Sequence, residues 1–178
     1  MSLIDINLNF FKSKYFIYLT SIFILLTLTC SKHTNNNSAI NQTSLNNFNS
    51  NAKNYNKKIS FISKTDNILA NFNVAIANNS ELQRIGLMNL KSLPKNFGML
   101  FIKDYPQIIS MWMKNTQIPL DMIFLDKDFK IIKIHKYAIP YSLEIILCED
   151  EALAVLEING GIAQEYNLNI GDKLVFQN

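Results

Sequence analysis

At 178 residues the chain is long enough for one domain with a hydrophobic core and hardly for two. Charged side chains make up 17% of it, below the ~25% of an ordinary globular protein, and its net charge of +3 is spread along the sequence. With no Lys/Arg run and no arginines interleaved with aromatics, this composition argues against a groove that tracks phosphates, and so against nucleic acid as a partner.

Residues 1–29 read as an export leader. Lys12 and Lys14 precede an apolar and hydroxyl run, YFIYLTSIFILLTLT (15–29). The run is shorter than the ~20 residues of a membrane-spanning helix, and polar sequence follows at once. It ends at Cys30. An apolar stretch ending at a cysteine after a small residue resembles a bacterial lipoprotein signal. That resemblance implies cleavage before Cys30 and acylation of its thiol and of the new amine. Where such signals carry Leu, and then Gly, Ala or Ser, this chain has Thr27 and Thr29, with Leu26 one place early. The alternative is an uncleaved signal anchor with an incidental cysteine. Several acyl chains, each contributing ~0.8 kcal/mol per buried CH₂, would hold the protein on a lipid bilayer, facing outside the cytoplasm.

Residues 30–57 are rich in Asn, Ser and Thr and show no apolar period. Such a stretch cannot offset the entropy of ordering itself and reads as a disordered tether. His33 within it has no partner at metal-ligand spacing.

The globular part is expected over 58–178. ILANFNVAIA (68–77) reads as a strand, and NNSELQRIGLM (78–88) as a helix start. Asn78 with Glu81, or Ser80 with Gln83, has capping-box spacing, and Gly86 suits a helix end. LPKNFG (93–98) is turn material, and MLFI (99–102) is a short buried strand.

SMWMKNTQIPLDMIFLD (110–126) carries the densest set of candidate site residues. Read as extended, it points Trp112, Lys114 and Thr116 one way and Met111, Met113 and Asn115 the other. Pro119 keeps Ile118 extended and removes one ladder donor, marking a bend or edge. The following strand sets Leu120, Met122 and Phe124 on one face and Asp121 with Ile123 and Leu125 on the other. A carboxylate among apolar neighbours needs donors, and Lys114, Asn115 and the amides around Thr116 are the nearest in sequence.

DKD (126–128) is a hairpin turn into the strand KIIKIHKY (130–137). Cys148, in IILCED, reads as a semi-buried small hydrophobe rather than a nucleophile. ALAVLEING (152–160) is a strand; Asn159 would cap a short helix, a Gly-Asp turn follows, and KLVF (173–176) closes the domain. These elements predict an α+β fold that is mainly β: a small, strongly bent sheet or partial barrel with two short helices.

Three segments in this order, RIGLMNLKSLPKNFGMLFI, MWMKNTQIPLDMIFLD and VLEINGGIAQEYNLNIGD, resemble the bacterial domain of unknown function 192 family over about residues 68–177. The resemblance implies a small, mainly β domain, often exported, with no established activity. The family's Trp-Met-Lys-Asn-Thr and Pro-Leu-Asp segments fall on Trp112 to Thr116 and on Pro119 to Asp121. Its usual Arg before Gly-Leu-Met corresponds to Arg84, displaced here by Ile85. Members often carry Pro-Pro-Cys and a second cysteine after the Lys130 strand, whereas AIPYSLEIILCED has one proline and one cysteine.

Three roles are open for the cluster Trp112, Lys114, Asn115, Thr116 and Asp121. The structural role, a lock on a sharp strand crossing, ranks first for each residue singly. As a function, the chain reads as a tethered envelope domain that binds a small molecule or an envelope protein. The alternative is an envelope enzyme with Asp121 and Lys114 as acid/base pair. No cofactor or metal is expected, since His135 also lacks spaced partners.

Overall fold

The computed structural model describes residues 54–177. The leader, Cys30 and the tether up to residue 53 lie outside the described residues.

Seven strands form one sheet in the order β5-β4-β6-β3-β2-β1-β7. They are β1 (Lys57–Ile62), β2 (Ile68–Ala77), β3 (Phe97–Met111), β4 (Leu120–Leu125), β5 (Ile131–Ala138), β6 (Ile146–Asn159) and β7 (Lys173–Phe176). The two short helices are α1 (Ser80–Ile85) and α2 (Ile162–Glu165). The sheet curls into a half-barrel, so the predicted α+β class and bent sheet hold. β2 and β3 run parallel, joined through α1, while the other pairings are antiparallel. The first strand pairs with the last, Ile59 opposite Phe176. At one end the sheet edges also meet: Lys130 bridges Lys173, and the Ile131 amide donates to the Asp172 carbonyl.

The curl gives the sheet two apolar faces. One gathers Phe61, Phe72, Leu100, Leu125, Leu156 and Leu174, residues of strands from across the sheet including the edge strand β7. The other gathers Met99, Phe101, Met122, Phe124 and Val155 and is covered by Leu87, Leu90, Leu93 and Met113 from the connections. Every residue of β4 is buried, because it lies between β5 and β6 with apolar cover on both faces. The predicted alternation in β4 holds, with Leu120, Met122 and Phe124 in one cluster and Ile123 and Leu125 in the other.

Four local readings change. The cap of α1 is Asn79, which accepts the Leu82 amide at 2.9 Å; neither Asn78 nor Ser80 serves, because the helix starts one residue after Asn79. β1 is an unpredicted strand, and β3 extends well beyond 99–102. Between Ile102 and Gln107 β3 bulges, four residues opposing a single position of β6. The stretch after Met111 is not extended throughout: the Thr116 amide returns to the Met113 carbonyl at 3.1 Å, with Asn115 at φ 54°. That turn reverses the alternation beyond Met113, so Lys114 and Asn115 are both exposed and Thr116 is buried.

Candidate functional site

Asp121 has a defined partner set. One carboxylate oxygen, Oδ1, accepts the Tyr137 amide at 2.9 Å; the other, Oδ2, accepts the amides of Gly161 and Ala163, each at 2.9 Å. The side chain is fully buried on β4. Its donors are therefore backbone groups of β5 and of the α2 start, not Lys114, Asn115 or the amides around Thr116. α2 has no side-chain cap of its own, since Gly161 precedes it, so Asp121 supplies one from another strand. Asn159, expected as that cap, instead donates its side-chain amide to the Leu93 carbonyl at 2.8 Å.

Gly161 meets a backbone requirement that side chains rarely satisfy. Its φ is +91°, and an added Cβ would lie 2.1 Å from the Tyr137 hydroxyl oxygen. The Gly160 amide donates to the Pro119 carbonyl at 2.9 Å, so the Pro-Leu-Asp and Asn-Gly-Gly segments are clipped together.

The rest of the predicted cluster gathers elsewhere. The Lys114 ammonium sits 5.0 Å from the centre of the Trp112 ring, which is 44% exposed. The segment is pinned on both sides. The Asn89 amide donates to the Asn115 carbonyl at 2.8 Å, and the Tyr141 amide to the Thr116 carbonyl at 2.9 Å. Asn115 Nδ2 also approaches the Met88 sulfur at 4.0 Å. Trp112, Lys114 and Thr116 thus line one cleft of about 110 Å³ together with the end of α1, while Asp121 is not among its lining residues.

Two residues that sequence reasoning passed over complete this cleft. Lys103, brought in at the β3 bulge, donates to Gln83 Oε1 at 2.7 Å. Gln83 is itself anchored on the carbonyls of Ala77 and Ile102, at 3.1 and 2.9 Å. Glu157, on β6, lines the cleft and is only 4% exposed. On either side of it in the sheet are Met99 of β3 and Met122 of β4. A lone glutamate in ALAVLEI was the available signal, because a charge within an apolar strand needs a reason.

Electrostatics separate the cleft's cations. Arg84 also lines it, but makes a bidentate contact with Glu81 at 2.9 and 2.7 Å. That hydrogen bond, reinforced by the opposite charge, holds the Glu81 carboxyl below its usual range and the guanidinium above its own. Among the described residues, neither Lys103 nor Lys114 has an ion-pair partner. Burial, with the Glu157 charge adding to it, pushes the Tyr55 hydroxyl well up; Tyr55 packs edge-on against Phe97, 5.6 Å between ring centres.

A second hollow of about 360 Å³ lies along Lys133, His135, Ile139, Glu144 and Leu147. It is larger, but the polar groups it presents are carried on exposed or half-exposed residues, whereas the first cleft holds a buried acid.

The model of the DUF192 family, described as Uncharacterized ACR, matches residues 61–176. Among solved structures, a "putative transcription regulator" from Sinorhizobium meliloti 1021 is similar at 32% identity, covering 67% of this chain and 92% of that one, with a TM-score of 0.65. A protein of unknown function from Novosphingobium aromaticivorans DSM 12444 is similar at 34% identity, covering 66% and 83%, with a TM-score of 0.63. No curated protein matches the chain.

Proposed function

The chain belongs to the DUF192 family, and we propose that this member is a ligand-binding domain tethered by lipid to the cell envelope. The cleft beside Trp112 carries the binding reading. It joins an aromatic wall, two lysines outside any described ion pair and a buried carboxylate, which together offer apolar area and directional polar groups. The acid/base alternative loses its pair, since Asp121 meets three backbone amides and Lys114 meets Trp112.

The anchoring part rests on the sequence: the positive leader, the apolar run, Cys30 and the polar stretch behind it. Cys30 would carry the acyl chains, and the cleft would face outside the cytoplasm.

The two parts are tested separately. Trp112 is the only tryptophan, so its emission reports on the cleft. A broad screen of small metabolites against the full-length protein should yield compounds that change this emission saturably and raise the melting temperature. A screen with no such compound removes the binding reading. For the anchor, a clickable fatty acid should label the wild-type protein and fail to label Cys30→Ala. Absent label, or label surviving the substitution, removes it.

A further inference from the structure

The β5–β6 connection and the start of β6 turn large apolar side chains to solvent. Ile139, Tyr141, Leu143, Ile145 and Leu147 occupy every second position and are each between 42% and 68% exposed. Trp112 belongs to the same surface. Ser110 pairs with Leu147 and Met111 with Ile146, so Trp112 and Ile145 follow side by side. Just beyond them the Met113 amide donates to the Ser142 carbonyl at 3.0 Å.

Contiguous exposed apolar area of this kind marks a contact surface. The backbone beneath it is already satisfied at several points. The Tyr141 and Ser142 amides donate to the carbonyls of Thr116 and Ile139 at 2.9 and 3.2 Å, and the Glu144 amide to Ser142 Oγ at 3.2 Å. Lys133 Nζ donates to the Leu147 carbonyl at 2.6 Å. A surface that offers apolar area with its polar backbone tied up suits lipid better than an added peptide strand. Glu144 is the one charged residue in 139–147, and it is exposed. It limits contact to headgroup depth, where Tyr and Trp rings are at home and aliphatic side chains reach just past them.

Chain length brings a bilayer within reach. Tyr55 packs on Phe97 at the start of β3, while the apolar surface flanks Met111 at the other end. The 15 residues of that strand span at most ~50 Å. From Cys30 to Asn54 the chain can cover up to ~85 Å. We infer that the 139–147 segment, with Trp112, rests in the headgroup layer of the bilayer that holds Cys30, so that the folded domain lies on the membrane. This rests on the lipid-anchor reading for which bilayer it is.

The test reconstitutes the full-length protein in vesicles of phosphatidylethanolamine and phosphatidylglycerol, with and without brominated acyl chains, which quench a tryptophan at the bilayer. All variants share one N-terminus, so its attachment cancels in the comparison. Trp112 emission should be quenched in brominated vesicles, and Leu143→Asp/Ile145→Asp should reduce that quenching at least about twofold. Both positions are exposed, so this variant should keep the wild-type urea midpoint. Where it does not, Leu143→Ser/Ile145→Ser takes its place, with the same reduction expected. Ile170→Asp is the control. Ile170 is also exposed but precedes Gly171, whose amide bonds the Ile131 carbonyl at the far end of β5, so quenching should stay at the wild-type level. Unquenched Trp112, or an equal drop in the loop and control variants, overturns the inference. Unquenched Trp112 together with self-association that the loop variant abolishes overturns it in favour of a second copy. Fatty-acid labelling of Cys30 reads the anchor independently. Label with unquenched Trp112 removes the surface contact and keeps the anchor, whereas loop-dependent quenching without label keeps the contact and removes the anchor.

Discussion

Oδ2 of Asp121 accepts the amide of Ala163 at 2.9 Å across a separation of 42 residues. The same carboxylate holds the Gly161 and Tyr137 amides, so one side chain on the buried strand β4 fixes both β5 and the start of α2. Removing it leaves three backbone donors without their acceptor, the Ala163 amide among them fully buried. Asp121→Ala should therefore lower the unfolding free energy by about 3–5 kcal/mol in urea denaturation, with an unchanged m-value. Asp121→Asn keeps an acceptor on one side only and should recover less than half of that loss. A change below about 1 kcal/mol in the alanine variant would show that the cap is dispensable.

Gly161 gives a steric test of the same corner. Alanine there must keep a φ of +91°, and its Cβ, built 2.1 Å from the Tyr137 hydroxyl oxygen, must push that ring aside. Gly161→Ala should cost more than about 2 kcal/mol. Tyr137 is 57% exposed, so Tyr137→Ala alone should be mild. In the double variant the clash disappears while the backbone strain remains. The combined loss should thus be smaller than that of Gly161→Ala alone, as read from a double-mutant cycle.

The Lys114 contact with Trp112 should be spectroscopically loud and thermodynamically quiet. The pair is solvent-exposed, and a cation over an exposed ring contributes ~0.5–1 kcal/mol. Lys114→Met should shift the intensity or maximum of Trp112 emission while moving stability by less than about 1 kcal/mol. A larger loss would mean that the turn at Lys114 and Asn115 depends on the ammonium.

Cys148 is 1% exposed on β6, and burial pushes its thiol up from the ordinary value. In a Cys30→Ser background, thiol reagents at neutral pH should label Cys148 slowly until denaturant is added. The upward shift also fixes a sign. The stability it contributes is complete below the ordinary thiol range, about pH 8.5, and is lost as pH rises towards the folded-state value. Tyr55, shifted in the same direction, adds its own loss above about pH 10. The urea midpoint should fall above about pH 8.5, and Cys148→Ala should make the first part of that fall shallower.

Period-two patterning was enough to place β2, which alternates over Ala70, Phe72 and Val74, and the two faces of β4, whose alternate apolar side chains enter different clusters although all six residues are buried. β7 needed no periodicity at all, KLVF being bounded by a Gly-Asp turn. β1 was not legible: KKISFI has few residues and begins with two lysines, and its strand character comes from pairing with β2 and β7. The polar cluster was half legible. Trp112 and Lys114 do converge, yet the positive φ at Asn115 turned the segment, a backbone choice that Asn permits but does not announce. Asp121 was recognised as needing donors, but its donors come from sequence-distant backbone that only the fold brings near. Glu157 and Lys103 joined the cleft through sheet register and a bulge, neither of which a local pattern encodes.

The pairing of Ile59 with Phe176 has a temporal meaning. A ribosome delivers β1 before the other six strands and β7 after them, so one flank of β1 waits for its neighbour until the rest of the sheet has been made. A polypeptide with that arrangement keeps this flank open while the other strands emerge and closes it only when β7 arrives. Its closing contact spans almost the whole described body, which predisposes it to slow, late completion rather than piecemeal assembly.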